Sequence, residues 1–188
     1  MTSPTTRIRR CAAGDDRALA LVGAATFVET YAGLLPGPDI IAHCADRHAA
    51  NVYTAWLADG ATRIWIAETE FGAAPVGYLV LGVPDFALPD SQDGDLEIKR
   101  VYLLHRFQHA GVGKQLMQAA ITAARAAGAS RVLLGAYEGN AEALSFYARL
   151  GFQPVGTRRF RMGSQQYVDP VLALPLATDI APPTAGAG

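Results

Sequence analysis

With 188 residues, 51% hydrophobic and 18% charged, the chain has the composition of a globular protein and the length for one core. A net charge of -1 excludes a strongly basic, nucleic-acid-binding surface, and no apolar run reaches the ~18 residues of a membrane span. Cys11 and Cys44 form neither a disulfide framework nor a metal-ligand spacing, which suits a reducing, cytoplasmic location.

The opening MTSPTTRIRR lacks the apolar core of a signal peptide. TRIRRCA (6–12) is expected as a first strand. Residues 14–33 read as a helix, with Asp15 or Asp16 as its N-cap and Leu19, Val22, Phe27 and Tyr31 spaced toward a core. Gly33, Pro36, Gly37 and Pro38 break it. A second helical region covers 39–59, with a break near His48 and Gly60 as its stop. TRIWIAET (62–69) and APVGYLVLGVP (74–84) form a hairpin pattern, and 85–95 is an acidic loop. A strand at 96–103, a loop, and a helix at 112–127 follow. RVLLGAY (131–137) is a strand, and 140–151 a helix capped by Asn140 and Gly151. Residues 152–176 read as strand, loop and terminal strand. The Pro/Gly/Ala-rich tail 177–188 has no periodic face and is expected to be disordered. This is an α/β (α+β) layout around one mixed sheet, a single domain over 1–176.

RFQHAGVGKQL (106–116) carries the strongest chemical signal. A Walker A loop would need glycine where Gln108 stands and Ser or Thr where Gln115 stands. A dinucleotide fingerprint would need glycine at Leu116. What remains is Gln-x-x-Gly-x-Gly, from Gln108 through Gly111 to Gly113, entering an amphipathic helix. Free N–H groups at a helix start favour an anion, and glycine admits a bulky phosphate close to the backbone. A plain tight turn reads equally well on these residues alone. In the preceding strand, Leu96 and Ile98 share one phase of the alternation, and Val101 and Leu103 the other. That phase change predicts a β-bulge near Lys99 to Val101, turning backbone groups away from the ladder.

From LEIKRVYL through the glycine loop to NAEALSFYARLGF, residues 96–152 resemble the GNAT superfamily of acetyl-CoA-dependent N-acetyltransferases. FVETYAG (27–33) and RFRMGSQQYVDPVLALPL (159–176) are similar to bacterial spermidine/spermine N-acetyltransferases of the PaiA type. The resemblance implies a splayed mixed β-sheet flanked by helices, with acetyl-CoA between the strands at 96–103 and 131–137. Backbone groups of Val101, Tyr102 and Leu103 would then meet the pantetheine arm. Gln108, His109, Ala110, Gly111, Val112, Gly113 and Lys114 would wrap the pyrophosphate. Asn140 would bond the cofactor arm, Arg149 could reach the ribose phosphate, and Tyr147 would sit beside the thioester sulfur. Each has a plainer alternative: a helix cap for Asn140, a core aromatic for Tyr147, solvated cations for Lys114 and Arg149.

Acetyl transfer needs a neutral amine, so a base must take the proton of an ammonium whose pKa lies near 10. The resemblance points to Glu97, directly or through water, with Asp95 as runner-up; a surface carboxylate is the plain alternative. Tyr147 is the candidate acid for the leaving thiolate. The Leu103 amide could polarise the carbonyl. The acceptor is expected to be a small primary amine, a polyamine as first choice, with Glu29 and Tyr31 as contacts. Asp85, Asp90, Asp93, Asp95 and Glu97 could draw such a cation, or simply form a solvated acidic loop. Acetylation of a protein N-terminus or lysine, and a non-catalytic acetyl-CoA-binding regulator, are the competing readings. Neither a metal nor a nucleic acid is called for; a homodimer is compatible with the sequence.

Overall fold

The apolar runs and helical periodicities resolve into seven strands and five helices in the computed structural model, which describes residues 5–162 and 165–176. The tail from 177 to 188 lies outside those residues. In chain order the elements are β1 (Thr6–Arg10), α1 (Asp16–Tyr31), α2 (Gly37–Arg47), α3 (Ala50–Ala58), β2 (Arg63–Thr69) and β3 (Pro75–Gly82). Then come β4 (Leu96–Leu103), a 3-10 turn (His105–Phe107), α4 (Val112–Ala126), β5 (Arg131–Gly135), α5 (Ala141–Arg149), β6 (Gln153–Met162) and β7 (Gln165–Pro175). The expected helix at 39–59 breaks at His48, which caps α2. α3 ends at Ala58 with Asp59 as its cap, before the expected stop at Gly60. Asp15 precedes α1 without bonding its first turn; its carboxylate instead accepts from the Ala12 N–H and pairs with Arg9.

All strands join one sheet in the order β1-β2-β3-β4-β5-β7-β6. Its neighbours are antiparallel except the central pair, β4 and β5, which run parallel. Helix α4 covers one face, where Leu116, Met117 and Ala120 pack with Leu79, Leu81 and Ile98. Helices α1 and α3 cover the other face of the β2–β4 region through Leu19, Val22 and Tyr53 on Ile64, Ile66 and Tyr78. Burying a stripe of apolar side chains on each face is what holds the helices to the sheet, at about 25 cal/mol per Å² removed from water.

The phase change in β4 is a real bulge. Val80 pairs with Arg100 but Leu81 with Ile98, so Lys99 is the extra residue. The bulge returns Leu96, Ile98, Val101 and Leu103 to a single face, all packed on the α4 side. Without it a period of two would have sent the second pair to the opposite face.

Candidate active site

β4 and β5 pair only at Leu96 with Val132 and Glu97 with Leu133. Beyond that point β4 runs on to Leu103 with no β5 partner, so the sheet opens at its centre. Leu104 donates its N–H to Val76 of β3 at 2.9 Å, and backbone direction alternates along a strand. Leu103 and Val101 therefore turn their backbone groups away from β3, toward the opening. Tyr102 turns its backbone toward β3, where its carbonyl lies against Gly77; this corrects the expectation of a backbone contact from Tyr102. The Leu103 carbonyl accepts from Gln108 Nε2 at 3.1 Å, so Gln108 braces the strand end.

The loop after β4 folds through two left-handed residues, His109 (φ 61) and Gly111 (φ 81), before α4 starts at Val112. Glycine adopts that conformation freely; for histidine it is a strained one, of the kind held at ligand-binding turns. Gly111 caps α4 with no side-chain hydrogen bond, and the first turn carries no acidic residue. The free N–H groups and positive dipole end are thus left for an anion. Lys114 and Ala110 are exposed at this entrance, and Val112 is buried beneath it. Across from it, His109 Nε2 lies 3.3 Å from Glu142 Oε1 of α5.

Asn140 caps α5: its Oδ1 accepts from the Ala143 N–H at 3.0 Å. The cap uses the oxygen and leaves the amide N–H₂ as a separate donor. Tyr147, 8% exposed, packs beside Phe146 and Phe152. Burial first, then the Tyr102 hydroxyl, push its phenol above the usual range. Arg149 donates to Ser145 of its own helix at 2.7 Å.

Glu97 stands at the last β4–β5 pair and is 1% exposed. Its Oε2 accepts the Asp85 N–H at 2.9 Å, and Arg158 of β6 lies 3.2 Å from Oε1. Lys99 is 3.8 Å away and also pairs with Asp85. Burial raises the carboxyl above its normal value, against the pull of the Asp85 N–H, Lys99 and Arg158.

The other expected acids are placed differently. Asp95 is buried, with Arg131 donating Nε to Oδ1 at 2.9 Å and Nη2 to Oδ2 at 3.0 Å. Asp90 pairs with the same guanidinium at 2.8 Å. Asp95 is therefore a lock between the acidic loop and β5, not an alternative base. Most of the acidic loop is neutralised by lysine and arginine from elsewhere in the fold, which removes its case as an amine attractant. Glu29 accepts the His105 N–H at 2.8 Å, tying α1 to the turn after β4. Tyr31 ends α1 against Phe27, with ring centroids 4.5 Å apart. Its hydroxyl is raised by burial and by the neighbouring Tyr102.

Two residues were missed in the sequence: Arg158 and Asp169, opposite each other on β6 and β7. The Arg158 guanidinium lies where a Cβ on Gly135 of β5 would go, which explains the glycine. Asp169 is the one charged residue on a β7 face that also carries Val171 and Ala173, and that inward phase was the available signal. Among the described residues no group of three or more His, Cys, Asp or Glu could hold a metal ion, and no helix is long and apolar enough to cross a membrane.

A mixed sheet parted between two parallel strands, with an anion-ready helix start beside the parting, is the layout that the resemblance to acetyl-CoA-dependent acetyltransferases implies. The chain belongs to the acetyltransferase (GNAT) family, whose model matches residues 24–152. It is 34% identical over 158 residues to an uncharacterized N-acetyltransferase of Mycobacterium tuberculosis (strain ATCC 25618 / H37Rv), covering 82% of this chain and 93% of that protein. The fold matches the PaiA N-acetyltransferase of Thermoplasma acidophilum, solved with coenzyme A, with a TM-score of 0.75, 19% identity, and 92% and 99% of the two chains covered. It also matches yncA of Salmonella typhimurium, solved with acetyl-CoA, with a TM-score of 0.67, 21% identity, and 96% and 99% covered. The protein is an N-acetyltransferase with acetyl-CoA as its co-substrate.

Proposed function

We propose that residues 1–176 act as one acetyltransferase domain that acetylates a primary amine of a small molecule, a polyamine being the first acceptor to test. The observation that carries this reading is Glu97, a buried carboxylate with a raised pKa at the point where β4 and β5 part. A carboxylate made more basic by burial suits an amine that reaches the enzyme protonated. Helices α1 and α2 close over β7 through Phe27, Ile40, Tyr31 and Tyr167, which favours a slender acceptor over a protein surface.

In this reading the pyrophosphate of acetyl-CoA lies on Gln108 to Lys114, and its arm passes Val101, Leu103 and Asn140. The acceptor ammonium loses its proton to Glu97, directly or through water. The amine nitrogen bonds to the thioester carbonyl carbon, with the Leu103 N–H facing the oxygen. The C–S bond then breaks, the thiolate takes the Tyr147 phenol proton, and the nitrogen's second proton passes to the Tyr147 phenolate, which leaves a neutral amide and a thiol.

Thiol release with acetyl-CoA and a panel of spermidine, monoamines, amino acids and N-terminal peptides tests the reading. Turnover with small amines is expected. Turnover with peptides alone would move the acceptor to protein, and acetyl-CoA binding without any turnover would make the protein a regulator.

A further inference from the structure

The parted sheet joins two differently furnished faces. Tyr147, α4 and α5 lie on one; Glu97, Arg158 and Asp169 lie on the other, beneath α1, α2 and the acidic loop. Along β7, Tyr167 and Asp169 share a face. Tyr167 packs with Tyr31, Phe27 and Ile40, and meets Tyr137 edge-on at 5.8 Å. Asp169 thus sits on the acceptor side of the opening, close enough for its charge to act on both Tyr31 and Tyr102.

Asp169 is 4% exposed, yet its Oδ1 has no hydrogen-bond partner. Its Oδ2 is 4.0 Å from Arg158 Nη2, beyond a good hydrogen bond. Two carboxylates, Glu97 and Asp169, share that guanidinium, and Asp85 joins them through Lys99. Among these described groups three carboxylates face Lys99 and Arg158, and Glu138 adds a further negative charge beside Asp169. A buried carboxylate oxygen left without a donor, as Oδ1 is, is costly, and such costs concentrate where a ligand completes the set.

We propose that Asp169 anchors a cationic nitrogen of the acceptor other than the one acetylated, so the preferred substrates are short aliphatic diamines and polyamines. Asp169 supplies the missing acceptor for an N⁺–H donor, and the tyrosine rings around it favour a cation further. Glu97 faces the reacting nitrogen and Asp169 the trailing one. This rests on the amine-acetylation reading above. It is also consistent with burial raising the Asp169 carboxyl against the pull of Arg158 and the Glu138 N–H.

The test compares wild type with Asp169→Asn and the charge-keeping Asp169→Glu. Butylamine, putrescine and spermidine are assayed for turnover, and separately for thermal protection of the coenzyme A complex. In Asp169→Asn, KM for putrescine and spermidine should rise at least 10-fold, with kcat and the butylamine kinetics little changed. Diamine thermal protection should vanish, and Asp169→Glu should restore part of it. The ligand-free melting temperature of Asp169→Asn should equal or exceed wild type, because a buried charge whose Oδ1 has no donor has been removed. An Asp169→Asn protein that melts far lower, or fails to fold, would overturn the proposal by making Asp169 a structural partner of Arg158. Loss of kcat on every amine with KM unchanged would overturn it in favour of a base. The protection assay needs no turnover: lost turnover alone counts against amine acetylation, and diamine protection that survives in Asp169→Asn counts against the anchor.

Discussion

At the scale of single residues, the environments of Glu97 and Tyr147 push both groups the way their proposed roles need. Burial raises Glu97 toward the range of a working base and keeps the Tyr147 phenol protonated as a donor. Glu97→Gln keeps an oxygen for the Asp85 N–H and removes the basic group. At neutral pH kcat/KM should fall by about 10²- to 10⁴-fold. The deficit should narrow as pH climbs toward the amine's own pKa, because the acceptor then arrives neutral. A pH–rate profile in which the deficit stays constant would assign Glu97 a structural role. Tyr147→Phe keeps the ring against Phe146 and Phe152. It should lower kcat about 100-fold while coenzyme A affinity by calorimetry stays put; an unchanged kcat would remove Tyr147 as the acid. Glu97 and Tyr147 could be proposed from the sequence because each lies in a local run of the family's pattern. Arg158 and Asp169 were not, since Arg158 meets Glu97 only through a pairing 61 residues apart in the chain.

At the scale of elements, the entrance to α4 separates two uses of glycine. Gly111 is required by the backbone, at φ 81. Gly113 is not: its φ is ordinary, and an added Cβ would meet only Phe146, at 3.6 Å, an ordinary contact. Glycine within a helix costs about 1 kcal/mol relative to alanine, so the fold alone would favour alanine at 113. The remaining reason is close approach of a phosphate. Gly113→Ala should therefore raise the melting temperature by a few degrees and weaken coenzyme A binding severalfold. Tighter or equal binding in that variant would take the pyrophosphate away from this turn. The bulge in β4 was visible in the sequence because an insertion shifts the hydrophobic phase. The parting of β4 from β5 was not, because it depends on how many residues of two distant strands pair, which the residue pattern of neither strand shows.

At the scale of the whole molecule, a buried polar network beneath α1 links stability to pH. His48, 3% exposed, shares a 2.8 Å hydrogen bond with the Tyr53 hydroxyl, which donates to Tyr78 at 3.1 Å and accepts from Arg100 at 2.9 Å. The histidine–tyrosine bond lies directly against Gly23, where a Cβ would strike both partners. Burial first, then the Arg100 charge, lower His48 to about 3; the same causes lower half-buried His43 to about 4. Both are neutral in the folded protein at pH 5, whereas unfolded histidine takes a proton near pH 6.5. The unfolded chain then binds more protons, so stability is full above pH 6.5 and is lost as pH falls toward 4. Between pH 7.5 and 5, each fully buried histidine contributes about 2 kcal/mol to that loss, and the half-buried one less. Glu97 and Asp169, with raised carboxyls, act in the opposite sense and soften the fall. The melting temperature should drop by roughly 5–10 °C over that range. His48→Gln, which keeps a hydrogen-bonding partner for Tyr53 without the titration, should shrink the drop by about half. Equal melting temperatures at the two pH values in the wild type would mean that His48 and His43 titrate normally, and that the network is open to water.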